Sequence, residues 1–260
     1  DSVEMGRVLM NESWILNRQR KSDEALKKCN QALQLFERHN STEDIAEANN
    51  NLAVFHEQVG DLDMALHHNE KSLELFKQVD NKSKIGNVHL SLGYVHSKRK
   101  SLRVALENFE QSTAIAETVG NRLGTATSLM AKGRCYLDLE DYDNSEIVLR
   151  RSLQIFKRAK LGFRIVANNL SLAKVCLKKD NTQMARNCIE EARSIASERN
   201  SISDLAKINH MEGHILIKEG NDPRDKFNEA IADFESLGRS RDASEVTEAL
   251  SAYVADSQSN

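Results

Sequence analysis

The sequence predicts an all-α protein, an α-solenoid of about six antiparallel helix pairs followed by one further helix. Three observations predict it. Small residues recur every forty positions in three series: Ser13, Ala53, Gly93, Gly133, Ala173 and Gly213; Ala25, Ala65, Ala105, Ser145 and Ala185; Ala32, Ser72, Ser112, Ser152 and Ala192. Self-similarity on a fixed period of this length marks a repeat array, one supersecondary unit copied along an axis. Between the small residues the apolar side chains follow the helical period of about 3.6 residues. A single proline in 260 residues leaves the helix interiors unbroken.

The second repeat shows the elements in order. Residues 44–58 carry Ile45, Ala48, Leu52, Ala53 and Phe55 on one stripe, and 62–79 carry Ala65, Leu66, Leu73, Leu75 and Phe76, so each segment predicts an amphipathic helix. Gly60-Asp61 between them reads as a stop and a start, because glycine accepts the left-handed conformation and aspartate receives orphan N–H groups. The start position recurs as Asp61, Ser101, Asp141, Asn181 and Asn221, and the other junction as Ser41, Asn81, Asn121 and Ser201, with Leu161 breaking the second series. Asp222-Pro223 places the proline at the first position of the last repeat's second helix, where its missing N–H costs nothing. Phe234 stands where Phe76 predicts a residue two positions later, so the sixth repeat has lost two residues.

These boundaries divide the chain into an array over 1–239, with repeats at 1–40, 41–80, 81–120, 121–160, 161–200 and 201–239. A capping helix over 240–256 follows, with Val246, Ala249, Leu250 and Tyr253 on one face, and then a disordered tail at 257–260. The small residues have a packing reason, since helices joined by a short turn pack antiparallel and only Gly, Ala or Ser lets their backbones meet. A leucine at Gly93 or Ala105 is expected to clash, at a cost of roughly 1–3 kcal/mol.

His89, Leu92-Gly93, His96, Ala105 and Ser112, and again Leu52-Ala53, His56, Ala65 and Ser72, resemble the motif of the tetratricopeptide repeat family: a large residue, a Leu-Gly pair, an aromatic, then two alanines. The resemblance covers essentially the whole chain. It departs from the common version in its longer period and in lacking the closing proline, and such longer repeats resemble those of kinesin light chain, spindle-orientation adaptors and bacterial signalling proteins. The resemblance implies a right-handed superhelix that binds proteins in its concave groove. His56 and His96 take the place of the family's aromatic and are assigned to packing.

Other function classes lack their residues. No Gly-rich loop ends in Gly-Lys-Ser/Thr, and neither a Gly-x-Ser-x-Gly elbow nor a His-Glu-x-x-His pattern occurs, so no enzyme is expected. His210 and His214 have the i, i+4 spacing of two metal ligands but no third, and Asp138, Glu140, Asp141 and Asp143 lack the glycine and closing glutamate of a calcium loop. No metal and no cofactor is expected. The formal charge of −3 argues against nucleic acid, and neither a membrane span nor a signal peptide is legible. Cys29, Cys135, Cys176 and Cys188 fall on core positions without close pairs, which predicts reduced thiols and a cytoplasmic location. The start at Asp1 suggests a segment of a larger signalling or adaptor protein.

The family's geometry implies that the first helix of each repeat lines the groove. Towards the amino end the groove-facing rows contain Trp14 and Tyr94 with Asn11, Asn50, Asn51 and Asn87. Towards the carboxyl end they contain Arg134, Lys174, Lys178, Lys207, Lys218 and His214, with Lys98 between. Amides satisfy both groups of an extended backbone, aromatics give rigid contact area, and cations suit carboxylates. Leu90, Met130, Leu170 and Met211 add an apolar floor. The expected partner is a protein or peptide segment with acidic residues and apolar anchors, and the expected function a non-catalytic binding scaffold. The alternative is a peptide-gated regulator resembling bacterial pheromone receptors built on the same repeat.

Overall fold

A computed structural model describes residues 2–259, and among them the chain forms thirteen α-helices and no strand. The first three repeats contribute α1 (Ser2–Arg18) and α2 (Ser22–Arg38), α3 (Thr42–Val59) and α4 (Leu62–Gln78), then α5 (Lys82–Lys98) and α6 (Leu102–Thr118). The next three contribute α7 (Arg122–Asp138) and α8 (Tyr142–Arg158), α9 (Gly162–Lys178) and α10 (Thr182–Glu198), then α11 (Ile202–Lys218) and α12 (Arg224–Ser236). The last helix, α13, runs Ser240–Ser259, past the expected end at 256; Asn260, the end of the expected tail, lies outside the described residues.

Helix ends follow a twenty-residue ruler. Residues 20, 40, 60 and so on to 220 each adopt a positive φ, whether glycine, as at Gly60 (φ 89°), or not, as at Lys100 (φ 63°) and Glu140 (φ 63°). One left-handed residue per junction turns the chain back on itself, and its successor starts the next turn. Asp61, Asn81, Asn121, Asp141, Asn181 and Ser201 accept the N–H three residues on, whereas Ser41, Ser101 and Leu161 make no such bond. The sixth repeat differs from expectation. Its second helix starts at Arg224, because the first helical bond runs from Phe227 N–H to the Pro223 carbonyl (3.0 Å), which makes Pro223 the residue before the helix. Asp222 accepts the Arg224 N–H at 3.0 Å, and Asn221 instead closes α11 by donating to the Leu216 carbonyl.

Paired helices meet at the small residues. A Cβ built on Gly93 would lie 2.4 Å from Cε1 of Phe109, and one on Gly213 2.2 Å from Cε1 of Phe227. The obstacle is therefore a phenyl ring of the partner helix rather than its backbone. Both rings are almost completely buried, and their equivalents in other repeats are Cys29, Asn69, Leu149 and Ile189, all smaller. Where the first helix carries serine at the seam, a smaller partner stands opposite: Ser13 is buried near Cys29, its hydroxyl donating to the Met10 carbonyl at 2.6 Å and the Cys29 thiol to the Ala48 carbonyl at 3.5 Å.

Successive repeats are joined by a second layer of contacts. Ala25, Cys29, Ala32, Leu33 and Phe36 of α2 form one core with Ala48, Leu52 and Phe55 of α3, and Phe76 of α4 packs with Val88 and Leu92 of α5. Buried polar links accompany them: Ser112 with Ser128 at 2.7 Å, and Asn168 donating to Ser152 at 2.9 Å. Within a repeat, Asn49 bonds His68 at 2.9 Å, and forty residues on His89 bonds Asn108 at 3.0 Å, the same link with its two residue types exchanged. Burial among neighbours that include His56 and His67 pushes the His68 pKa down to about 4, so its ring is neutral at physiological pH.

The four cysteines are free and buried. Cys176 and Cys188 are nonetheless neighbours across α9 and α10, close enough for each thiol to influence the ionisation of the other, contrary to the expectation from their spacing.

The helices fall into two compact bodies, Asp1–Leu139 and Glu140–Asn260. In the first, α1 touches α3, α3 touches α5 and α5 touches α7; in the second, α9 touches α11. Among the described residues the second helices do not approach one another as closely and meet through long side chains such as Lys71 with Glu37, so within each body the first helices line the inner side. At the end of the second body, α13 buries Ala243 and Val246 against Phe227, Ala230 and Phe234 of α12 and Ala206 of α11.

Three substitutions test this architecture in urea titrations of the whole chain. Gly93→Ala is expected to cost about 1–3 kcal/mol, since a well-buried ring must move, and Phe109→Leu in the same chain is expected to return part of the loss. Full additivity of the two changes would mean that they do not meet. Lys100→Gly is expected to stabilise by about 0.5–1 kcal/mol, because it removes an L-residue from the left-handed region at some cost in unfolded-chain entropy.

Candidate binding hollow

The residues expected to line a groove are distributed over both bodies. In the first body Asn11 and Asn87 are exposed, while Trp14, 38% exposed, sets its ring edge against Phe55 at 5.3 Å. Tyr94 is half-buried, its ring edge on Phe109 at 5.4 Å. Asn50 is half-buried. Asn51 is only 5% exposed and offers no surface to a partner without rearrangement. Lys98 is held by α3: its Nζ lies 2.6 Å from the Glu57 carboxylate and donates to the Glu57 carbonyl at 2.8 Å. Its charge thus serves the contact between repeats. Arg134, on α7, is exposed.

The second body brings its candidates together. Lys174 and Lys178 on α9 and His214 on α11 line one hollow of about 800 Å³ between those helices, with α13 contributing Glu245. Its floor is apolar, built from Leu170, Leu177, Met211 and Ile217. Two further lysines join the rim, Lys207 close to Asp204 (3.7 Å) and Lys218 bound to Asp180 at 2.6 Å. Lys174 and Lys178 are exposed, and among the described residues no carboxylate forms an ion pair with either. They are the cations this body leaves available at the hollow.

His210 and His214 sit one helical turn apart, with their Nε2 atoms 3.1 Å apart and their rings edge-on to Phe227. Burial, and for both the nearby Lys174 charge, lowers their pKa values, His214 to about 4. Both are therefore neutral near pH 7, with one ring N–H donating to the other ring's nitrogen, and the positive charge of the hollow comes from its lysines. Among the described residues no group of three or more His, Cys, Asp or Glu is placed to hold a metal ion.

Sequence rows of first-helix residues found the lysines and missed part of the floor. Leu177 and Ile217 are forty residues apart and share their register with Leu137, a periodic signal of the same kind as the lysine row. Glu245 belongs to α13, outside the repeat, and no period reaches it. No helix of the described residues is long and apolar enough to cross a membrane.

Comparison with known proteins gives a family and a set of folds. Curated proteins give no match to the sequence. Among solved structures, aspartyl phosphate phosphatase F from Bacillus subtilis superposes with a TM-score of 0.83 at 11% identity, over 99% of this chain and 67% of its own. The apo form of the quorum sensor NprR from B. thuringiensis gives 0.77 at 17%, over 99% and 73%. A Rap protein complexed with competence and sporulation factor gives 0.72 at 14%, over 93% and 72%. At these identities the shared property is the fold. A family model described as the tetratricopeptide repeat matches residues 4–78, 44–118 and 84–158, three windows stepped by the same forty residues as the small-residue seam. With those windows spanning more than half of its length, the chain belongs to the tetratricopeptide repeat family.

Proposed function

We propose that this chain is a non-catalytic scaffold that binds a protein or peptide segment, and that the hollow between α9 and α11 is a principal contact site. The observation that carries this reading is the combination of an apolar floor with two unpaired lysines above it. A peptide that lays an aliphatic or aromatic side chain on Leu170, Leu177 and Met211 loses apolar surface to water, and an acidic neighbour on that peptide meets Lys174 or Lys178. Neutral His210 and His214 add ring surface and hydrogen-bonding nitrogens without extra charge. The amide and aromatic residues of the first body, Asn11, Trp14, Asn87 and Tyr94, are proposed as a second contact region, with Arg134 beside them. Trp14 and Tyr94 are braced by Phe55 and Phe109, so ordering them on binding costs little. The partner is proposed to be met in the cytoplasm, in keeping with four free thiols.

A second reading is supported by the fold likeness to a quorum sensor and to a Rap protein seen with a peptide factor: an array whose conformation responds to a short peptide. The two readings differ in whether the ligand changes the shape of the protein. Small-angle scattering separates them, because a gating peptide compacts the chain and a docked partner leaves its own dimensions unchanged.

The scaffold reading predicts that Lys174→Glu with Lys178→Glu weakens binding of an acidic, apolar-anchored peptide by roughly tenfold or more, with the melting temperature unchanged because both side chains are exposed and unpaired. Isothermal titration against a peptide panel, with a thermal melt of each variant, provides the measurement. Undiminished affinity in the double variant would move the site away from this hollow.

A further inference from the structure

The hollow of the second body carries charge of both signs, placed on different helices. Helix α11 touches α9, and its Ala206 packs with Ala243 and Val246 of α13. Lys174 and Lys178 line the hollow from α9 and Glu245 lines it from α13. Glu245 is exposed, and among the described residues no lysine or arginine pairs with it. The other charges at the rim are already answered: Lys207 lies close to Asp204, Lys218 is bound to Asp180, and Asp242 is held by Arg239 at 2.8 Å. What remains for a ligand is two cations on α9 and one carboxylate on α13.

The histidines of α11 lie in the field of both. Burial lowers the pKa of each ring and the Lys174 charge lowers it further, while Asp242 at His210 and Glu245 at His214 act in the opposite sense. Unpaired charges of opposite sign in one hollow constrain what fits. A wholly acidic segment laid on the lysines brings its own carboxylates towards Glu245, and a wholly basic one repeats the sign of the lysines. A ligand with a cation at one end, an anion at the other and apolar side chains between them satisfies both walls and covers the floor of Leu170, Leu177, Met211 and Ile217.

Size and chain path point to a short, separate molecule. The volume of about 800 Å³ falls in the range of about 300–1,000 Å³ that encloses a small ligand, which suits a short extended stretch better than a folded surface. From Glu245 to Ser259, α13 carries the chain about 21 Å along its own axis, so its continuation is led away from the hollow.

We infer that the hollow selects a bipolar peptide: a basic group directed to Glu245, apolar side chains on the floor, and a carboxylate directed to Lys174 and Lys178. Glu245 is the specificity-determining residue. It sets which end of the peptide lies towards α13, and it discriminates against uniformly acidic sequences. This inference rests on the reading of the hollow as the contact site and adds to it a residue from outside the repeats.

The probe is a panel of capped hexapeptides with a lysine at one end, two glutamates at the other and leucine, methionine or phenylalanine between, made in both chain directions and titrated calorimetrically into the full chain. Capping removes the terminal charges, so the lysine and the glutamates are the only ones present. The expected result is saturable binding by members of the panel. Replacing the peptide's lysine by glutamine is expected to weaken binding to the wild type roughly fivefold and to leave binding to the Glu245→Gln variant unchanged. A peptide with glutamate in place of its lysine is expected to bind Glu245→Lys more tightly than the wild type. Both variants are expected to melt as the wild type does, because the side chain is exposed and unpaired. An equal loss on lysine removal in the wild type and in Glu245→Gln overturns the inference; the scaffold reading survives that result if affinity still falls in Lys174→Glu with Lys178→Glu, and fails with it if those lysines are also without effect. Absence of binding by every member overturns the inference too, since a hollow filled by another part of the chain or by a second copy behaves in that way.

Discussion

The close approach of paired helices at a small residue governs the rest of the structure. Gly93 against Phe109 and Gly213 against Phe227 show its form: one helix gives up its side chain so that the other can bury a ring completely. A buried phenyl contributes on the order of 2 kcal/mol from the hydrophobic effect, and it does so only while the seam residue opposite stays small. Because each ring is seated at a fixed height along its helix, the seam also sets the register of the pair. The register of the pair in turn aims the outer residues of the first helices, including Lys174 and Lys178, towards the inner side.

Much of this was legible in the sequence, for a physical reason: a repeat shows the same steric demand several times over. Ser13, Ala53 and their equivalents located every helix pair, and the shortened sixth repeat followed from the spacing of Phe234. The left-handed junction residues were harder. Gly60 announces itself, but Arg20, Lys100 and Glu140 adopt the same conformation because the flanking helices hold them there, and nothing in their own chemistry reveals it. The Cys176 and Cys188 contact was missed for a related reason, since residues on paired helices meet across the seam although their separation along the chain carries no signal.

The candidate site was legible in its rows and obscured in its charges. Lys98 and Lys218 stand in the same periodic rows as Lys178, yet Glu57 holds the first and Asp180 the second. Such pairs span adjacent repeats, as do Lys71 with Glu37 and Lys157 with Glu191, and a row of lysines along a first-helix face does not say which of them a neighbouring carboxylate has taken. Exposed pairs of this kind each contribute little to stability. Their larger effect is on recognition, because they decide which cations remain to meet a ligand. Asn51 illustrates the complementary difficulty, an amide in a groove row that packing withdraws from solvent.

The link between Asn49 and His68 reappears as His89 and Asn108 with its ends interchanged. Asparagine and a neutral imidazole can each serve as donor or acceptor, so the contact has no intrinsic direction. A position-by-position comparison of the two repeats would count two mismatches here, while the hydrogen bond between the helices is unaltered. Divergence among the repeats of this chain is therefore smaller in interactions than in letters, and copies that look dissimilar can still be interchangeable as pieces of structure.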